Sequence, residues 1–426
     1  MEILIKKATI LSPSSKYHGK VRDILIRNGK IIKIGTRLSS AHRIIQSKDL
    51  HVSIGWLDLG TQIGEPGFEH RETIQSVSRA AALGGFTGIA PFPNTHPAIS
   101  NKSEVGFLID KFDALPVTPY PIAAITKNTN GTELAELIDL QKAGAIAFSD
   151  GSRPLNSDKL LLLALQYVKR INGLIIDNAI NPALFPDATI HEGKTSVMLG
   201  LTGMPPLAET TRVSRNIALT KYTDSRCLVH NVSSSESISL LKKAKKNNLH
   251  VYASTPVLNL AFTEEENLSF NSLWKVAPPL RTTKDRTALI RALRKGIIDL
   301  ITSNHVPVEI ERKNLEFTYA DPGSIGLQTV FGLALLALSD KMSLETIIEI
   351  LSVRPRKILN IPIPKIEEGH RAELTLFLPN TPWTFEEKHI ASLSKNTPLI
   401  GKTFPGQVLG TVHKGQFTGY EMVTRH

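Results

Sequence analysis

Polar residues follow several short apolar segments of this sequence, at points where β-strands would end. Asp58 ends the apolar run 54–57, and Asp150 ends the apolar segment of GAIAFSDGSRP. In an α/β barrel the catalytic groups lie where strands stop and loops begin, so these carboxylates stand where chemistry is expected. A lone aspartate after a strand is more often a cap or turn residue, and one carboxylate cannot hold a metal ion without partners.

The segment around Asp58, GWLDLGTQIGEPGFEHRET, resembles the first signature of the amidohydrolase superfamily, and of its dihydroorotase branch in particular. That signature is Asp-x-His-x-His-x-Arg-Glu-Pro-Gly, and Asp58 and Glu65–Gly67 match it in register. Gly60 and Gln62 stand at the two histidine positions, and Gly64 stands where the family arginine grips the substrate carboxylate. Glycine offers no lone pair and an amide is a poor substitute for imidazole at zinc, so the motif lacks its ligands.

The remaining metal-ligand positions of the family show the same loss. Asp150 matches a family aspartate, but Asn178 and Asn231 stand at histidine positions and Asn304 stands at the aspartate that binds metal and shuttles the proton. An amide cannot act as a general base near neutral pH. His230 lies one residue out of register, so strand alternation predicts that it faces away from the site.

Two residues that match the family pattern are predicted to line a vestigial substrate pocket. Asn94 lies in PFPNTHPAIS, which resembles the Pro-Asn-Thr-x-Pro loop whose asparagine helps to bind the substrate. His305 lies in LITSNHVP, which resembles Ala-Thr-Asp-His-Ala-Pro. Ala277 replaces an asparagine at a substrate-facing position of the family. The resemblance therefore implies a substrate pocket at Asn94 and His305, with no catalytic residue and no metal ligand set.

The resemblance extends over nearly the whole chain. HEGKTSVMLGLTGMPPLAET, residues 191–210, carries the family's His-Glu-Gly and Gly-x-Pro-x-x-Ala-Glu pattern, and KVAPPLRTTKDR, residues 275–286, resembles Lys-Val-Asn-Pro-Pro-Leu-Arg. Strand-like and helix-like segments alternate over residues 53–364, as a (β/α)8 barrel requires. The predicted fold is therefore α/β, with a TIM-like barrel as the central domain.

Short β-strands are predicted at both ends of the chain. Residues 1–52 include EILIKKATIL and DILIRNGKIIKIG, in which Asn28-Gly29 predicts a hairpin turn, and further strands follow in residues 365–426. Neither end buries much apolar surface alone. We therefore expect the two termini to form one small composite β-sandwich domain beside the barrel.

The composition is that of an ordinary globular protein with 41% hydrophobic residues. The net charge is +11, but the positive residues are dispersed, and the one dense cluster, Lys242 to Lys246, fits the solvated face of a helix. The single cysteine, Cys227, excludes an internal disulfide and a Cys-based zinc site. No signal peptide or membrane-length apolar run is evident, so a cytoplasmic protein without nucleic-acid or membrane partners is expected.

Three hypotheses follow from these observations. The first is a pseudoenzyme of pyrimidine biosynthesis that has lost zinc and, as the resemblance implies, associates with aspartate transcarbamoylase; a homo-oligomer is also expected. The second is an active dihydroorotase, a hydrolase that interconverts N-carbamoyl-aspartate and dihydroorotate, with a rebuilt site. The third is a basic binding module. The 13 histidines include no His-x-His pair, which favours the first hypothesis over the second.

Overall fold

The computed structural model describes residues 2–39, 42–420 and 424–425. Parallel strands surrounded by helices form a central barrel, and a nine-stranded sheet combines strands from both ends of the chain. The predicted α/β fold class with a TIM-like barrel is confirmed, and the small β-sandwich predicted from both termini corresponds to this nine-stranded sheet. The predicted domain boundaries at residues 52 and 365 stay a prediction.

The strands alternate with helices between β6 and β16 and run together at both ends of the chain. In chain order they are β1 Glu2–Leu11, β2 Val21–Arg27, β3 Lys30–Gly35, β4 Arg43–Gln46, β5 His51–Ile54, β6 Trp56–Thr61, β7 Phe86–Pro91, β8 Thr118–Pro119, β9 Ile122–Ala123, β10 Ala147–Phe148, β11 Leu174–Asn178, β12 Ile190–His191, β13 Gly203–Met204, β14 Arg226–His230, β15 Val251–Pro256, β16 Leu300–Thr302, β17 Leu374–Leu378, β18 Trp383–Thr384, β19 Thr403–Phe404, β20 Gln407–His413, β21 Gln416–Gly419 and β22 Thr424–Arg425.

The helices cover the outside of the barrel. They are α1 Ile74–Leu83, α2 Lys102–Lys111, α3 Leu137–Lys142, α4 Asp158–Lys169, α5 Lys194–Leu199, α6 Leu207–Thr223, α7 Ser235–Lys246, α8 Val257–Ala261, α9 Thr283–Arg294, α10 Ile310–Lys313, α11 Val330–Leu338 and α12 Leu344–Leu359. Several begin at a side chain that caps the first turn: the Thr73 hydroxyl accepts from Ser76 N at α1, and the Ser234 hydroxyl accepts from Ser237 N at α7.

The terminal sheet joins the two chain ends through β5 and β17, which pair antiparallel with Leu374 opposite Ile54. The predicted hairpin connects β2 and β3, and Asn28 and Gly29 both have positive φ, as a tight hairpin turn of this twist requires. Aliphatic side chains from both ends pack in one buried core. The sheet therefore depends on both termini for its apolar burial.

The barrel consists of two parallel sheets, β6-β7-β8 and β9-β10-β11-β14-β15-β16. Because β8 and β9 follow one another with only Tyr120 and Pro121 between them, they occupy one position in the eight of a (β/α)8 barrel. Between β16 and β6, Ser303 N donates to Asp58 Oδ1 at 2.8 Å, and the Ser303 and Thr61 hydroxyls both donate to Oδ2 at 2.6 Å. Asp58, the retained first residue of the signature, therefore links the two ends of the barrel.

Trp56 connects the barrel to the terminal sheet. Its buried indole packs against Phe86, Phe331 and Phe377, with ring centroids 5.1 to 6.1 Å apart in this group. The segment 383–404 also packs on the barrel side, where Phe385 is buried in the same core. Among the helices of the described residues, none combines the length and the apolar character needed to cross a bilayer.

Candidate functional site

A cavity of about 340 Å³ opens where the barrel strands end. Much of its polar lining lies at or just after the ends of β6, β11, β14 and β16, which are the positions where barrel enzymes carry catalytic groups. Apolar side chains and prolines form most of the remaining wall. The lining includes Gly60, Gln62, Phe92, Asn178, Phe185, Thr189, Met204, His230, Asn231, Lys275, Ala277 and Asn304.

The imidazole of His230 lies against Gly60. A Cβ atom placed on Gly60 would lie 2.6 Å from His230 Cε1 and 2.9 Å from Phe92 Cε2, distances that real Cβ atoms do not adopt. Gly60 also has φ +84°, a left-handed conformation that disfavours any other residue. The space at the first ligand position of the signature is thus filled by the His230 imidazole from β14. This ring packs edge-on against Phe92, with the ring centroids 5.0 Å apart.

The prediction that His230 faces away from the site is wrong. Both His230 and Asn231 line the cavity. Strand alternation fails here because β14 ends at His230 and Asn231 has φ +60°, in the left-handed region. This conformation reverses the direction of the backbone, so two successive side chains reach the same space.

The protonation state of His230 follows from its burial and its hydrogen bonds. Burial lowers the pKa of His230 to about 3, so the ring is neutral at physiological pH. Asn231 N donates to Ser254 Oγ at 2.9 Å, and this oxygen lies 3.1 Å from His230 Nδ1. The Ser254 hydroxyl therefore fixes the orientation of the imidazole through Nδ1, and Nε2 is the ring nitrogen that lies beside Gly60.

The amides at the former ligand positions bind one another and the backbone. Asn231 Nδ2 donates to Asn304 Oδ1 at 2.9 Å, and Asn231 Oδ1 accepts from the Thr302 hydroxyl at 2.7 Å. Asn304 Nδ2 in turn donates to the carbonyl of Ala277 at 3.0 Å. Asn178 Nδ2 donates to the carbonyl of Gly151. These contacts need the amide N–H groups, so a carboxylate or a neutral imidazole could not reproduce them all.

Asp150 supports a neighbouring loop and is absent from the described lining of the cavity. Its Oδ1 accepts from Ile125 N and Thr126 N, both at 2.9 Å, and its Oδ2 accepts from the Thr126 hydroxyl at 2.6 Å. Burial raises the pKa of Asp150 to about 6, although these hydrogen bonds favour the charged form. The carboxylate oxygens are therefore engaged with the segment that follows β9.

Asn94 and His305 also lie outside the described lining of this cavity. Asn94 Nδ2 donates to the carbonyl of Asp150 and its Oδ1 accepts from Ser152 N, at 2.9 and 2.8 Å. His305 is 1% exposed; Gly326 N donates to its Nδ1 at 3.2 Å, and its Nε2 lies 3.4 Å from Glu72 Oε2. The structure thus brings Gly60, Gln62, Asn178, Asn231 and Asn304 together, but places Asn94, Asp150 and His305 around them. The substrate-binding role of Asn94 and His305 stays a prediction.

The position of the family arginine cannot carry a side chain in this backbone. Gly64 has φ +69°, and a Cβ atom placed on it would lie 2.3 Å from the carbonyl oxygen of Glu72. Glu72 is fully buried and accepts hydrogen bonds from the Ser76 and Ser392 hydroxyls and from Leu393 N. The loop is therefore packed closely around Gly64, and the backbone conformation at this position leaves no space for an arginine side chain.

The side chains present do not fit a zinc ion. Within the described residues there is no group of three or more His, Cys, Asp or Glu side chains arranged to hold a metal. At the cavity the available donors are amides and one neutral imidazole, and zinc in proteins requires anionic or imidazole lone pairs. The donor set of this site is therefore unsuited to the metal that the family resemblance implies.

The retained motifs HEG, AE and PPLR meet in a buried network that sequence reasoning identified only as family signatures. Arg281 donates through Nε to the Ser233 hydroxyl at 2.8 Å, and its Nη1 lies 3.0 Å from His191 Nδ1. Glu209 accepts from the backbone and hydroxyl groups of Ser233 and Ser234, and lies 3.6 Å from Arg281 Nη2. Burial and the neighbouring Arg281 lower the pKa of His191 to about 4. These motifs hold together the loops behind the cavity and contribute no metal ligand.

Known proteins resemble this chain over its whole length. The family model described as Dihydro-orotase-like matches residues 51–237. The dihydroorotase of Syntrophus aciditrophicus is 36% identical over 99% of this chain and 100% of its own, and that of Caldicellulosiruptor saccharolyticus is 37% identical over 97% of each. Among solved structures, the L-hydantoinase (dihydropyrimidinase) from Arthrobacter aurescens superposes with a TM-score of 0.84 at 22% identity, covering 98% of this chain and 96% of that one.

The barrel, the terminal sheet and the cluster of former ligand positions at the strand ends define an amidohydrolase. Within this class, the identity to curated relatives over the full length places the chain in the dihydroorotase family. The predicted family resemblance is thereby confirmed.

Proposed function

We propose that this chain is a catalytically inactive member of the dihydroorotase family in pyrimidine biosynthesis, retained for its shape, and that it supports the assembly of aspartate transcarbamoylase. The observation that carries the first half is the contact between His230 and Gly60. The imidazole occupies the space of the first metal ligand, because a Cβ atom on Gly60 would lie 2.6 Å from His230 Cε1. The site therefore lacks both the ligand and the space for it.

Three further features support inactivity. Asn304 cannot accept a proton as the family aspartate does, and its amide donates to the carbonyl of Ala277. The backbone around Gly64 leaves no room for a carboxylate-binding arginine. Asp150, the one ligand position with a carboxylate, already accepts three hydrogen bonds from Ile125 and Thr126. Each part of a zinc-dependent hydrolysis would have to be replaced for the reaction to proceed.

An active dihydroorotase with a rebuilt site is the second candidate, and the names of the full-length relatives favour it. The test is to assay the purified chain for dihydroorotate hydrolysis and for cyclisation of N-carbamoyl-aspartate, with and without added zinc, beside the dihydroorotase of Syntrophus aciditrophicus. We expect turnover only in the relative, and well under one equivalent of zinc in this chain by elemental analysis. Turnover that co-purifies with this chain would establish the active alternative.

The partnership is tested separately, because it rests on family analogy and no interface is identified. The aspartate transcarbamoylase of the same organism is mixed with this chain at micromolar concentration, and the sedimentation and transcarbamoylase activity are compared with those of each protein alone. A larger co-sedimenting species, or activity that depends on this chain, is expected. Independent sedimentation with unchanged activity would contradict the partnership and leave inactivity unaffected.

A further inference from the structure

A group of exposed cations lies at the C-terminal ends of two neighbouring barrel helices, α7 and α9. The sequence showed only the α7 half of this group, as a cluster of lysines. In the structure Lys245, near the end of α7, donates to the carbonyl of Gly296 at 3.1 Å and pairs with Asp299 at 2.5 Å, so the ends of the two helices are in contact. The exposed cations of these two ends form the α7–α9 face: Lys242, Lys243, Lys246, Arg291, Arg294 and Lys295.

The charge of the α7–α9 face is not neutralised within the molecule. Among the described residues no ion pair joins any of its six cations to a carboxylate, and Asp299, the acid beside them, is engaged by Lys245. Helix α4 differs, because its terminal Lys169 pairs with Asp224 at 3.1 Å. The α7–α9 face is therefore a concentrated positive surface.

The helix dipole alone does not explain so many cations at these helix ends. A cation in the last turn is favoured by the partial negative charge of the carbonyls that end a helix. Like charges three or four residues apart, however, repel one another and lower helix stability, and this spacing relates Lys242 to Lys246 and Arg291 to Lys295. A partner that brings carboxylates to the face would relieve this repulsion.

The chemistry of the face favours a protein partner over a membrane or a nucleic acid. Neither α7 nor α9, both described over their full length, exposes a large hydrophobic side chain that could enter a lipid layer. Neither helix contains an aromatic residue on which a base could stack, and helix C-termini present carbonyl oxygens instead of the N–H groups that commonly bind phosphate. The contacts are left to long lysine and arginine side chains, which pair well with the carboxylates of a protein surface.

We propose that the α7–α9 face docks a carboxylate-rich surface of a partner protein. Both helices lead back to the beginnings of strands, at Val251 and Leu300, so the face lies at the end of the barrel opposite the cavity. A partner bound there leaves the cavity mouth free. The inference goes beyond the proposed function and holds whether or not the chain catalyses a reaction.

Polyglutamate is the probe, because it presents carboxylates on a peptide chain. Two triple variants with the same change in net charge are compared with the wild type. The face variant reverses three cations of the α7–α9 face: Lys242→Glu, Lys246→Glu and Arg294→Glu. The control variant reverses three exposed cations that lie far apart in the sequence: Lys33→Glu, Lys159→Glu and Lys365→Glu.

Fluorescence anisotropy of a short labelled polyglutamate peptide with the full chain, at pH 7 and low salt, measures the affinity and the stoichiometry. We expect one peptide per chain, and binding at least about tenfold weaker in the face variant, because each exposed charge contact contributes a few-fold and three are lost. The control variant should lose less than about threefold. The wild-type affinity should also fall more steeply with added salt than that of the face variant.

Glutamate near a helix C-terminus can itself weaken the helix, so a second face variant carries glutamine at the same three positions. It should melt at the wild-type temperature and still bind polyglutamate about three- to fivefold more weakly. Equal losses in the face and control variants, or no binding of polyglutamate at low salt, would overturn the inference. Duplex DNA or phosphatidylserine vesicles that bind more tightly than polyglutamate at equal salt, and lose this binding in the face variant, would overturn the assignment to a protein partner.

Discussion

The imidazole of His230 stands 2.6 Å from the point where a Cβ atom of residue 60 would lie. Residue 60 therefore cannot carry a side chain while His230 keeps this position, because the two side chains cannot occupy the same space. The neighbouring side chains are packed closely around Gly60. A family residue restored at this position alone would therefore overlap with its present neighbours.

Gly60→His should lower the free energy of unfolding by about 2–4 kcal/mol, because the new side chain would overlap His230 and Phe92 and would hold a non-glycine residue at φ +84°. Urea unfolding measures this change. Gln62→His, which restores the other histidine of the signature at a lining position with negative φ, is the matched control and should cost much less. Adding His230→Ala to Gly60→His should recover part of the lost stability. Equal stability of the single variants Gly60→His and Gln62→His would disprove the steric coupling.

Asn304→Asp should destabilise the protein by about 1–3 kcal/mol and should produce no turnover of dihydroorotate. The new carboxylate would face the carbonyl of Ala277, to which the present amide donates at 3.0 Å. Denaturant unfolding and the dihydroorotate assay measure the two effects. Gln62→Glu adds the same charge to the cavity where no such contact is lost, and should have a smaller effect. Activity in Asn304→Asp alone would mean that the rest of the site is competent.

The fold could be predicted from sequence because its signals are repetitive. The Asn28-Gly29 turn between two apolar runs and the strand–helix alternation of the centre each reflect local rules that the structure obeys. None of this required knowing the direction of an individual side chain.

The site was harder to predict because it depends on single backbone angles. The left-handed φ of Asn231 places His230 in the cavity, and no period-two pattern encodes that exception. Whether Asn94 and Asp150 face the cavity or the neighbouring loop is likewise decided by their hydrogen bonds to the segments at Thr126 and Ser152. The five replaced positions line one cavity, but the hydrogen bonds that their side chains make there could not be predicted from the sequence.

Arg281→Met should lower the free energy of unfolding by about 3–5 kcal/mol, because it would leave the buried Glu209 without its cationic neighbour and remove the contacts to Ser233 and His191. Arg291→Met, an exposed residue in helix α9, is the control and should change stability by less than about 0.5 kcal/mol. Chemical unfolding of both variants provides the comparison. A loss in Arg281→Met no larger than in the control would show that the retained PPLR motif has no structural role.

Asp150→Asn should destabilise the protein at acidic pH, and the deficit should shrink as the pH rises. Burial raises the folded-state pKa of Asp150 from 3.8 to about 6, so the folded state binds the proton more tightly than the unfolded state does. The stabilisation linked to this proton is complete below about pH 4 and is lost as the pH rises through about 6, which corresponds to about 3 kcal/mol. Subtracting the wild-type stability from that of the variant at each pH removes the titration of all other groups.

Urea unfolding of wild type and Asp150→Asn between pH 4 and pH 7 measures this difference, and Asp187→Asn, at an exposed carboxylate, supplies the baseline for a simple loss of charge. The variant should also retain a constant deficit, because an amide nitrogen cannot accept the hydrogen bond from the Thr126 hydroxyl or the backbone of Ile125. A deficit that grows with pH would mean that the three hydrogen bonds outweigh burial and hold the carboxylate charged.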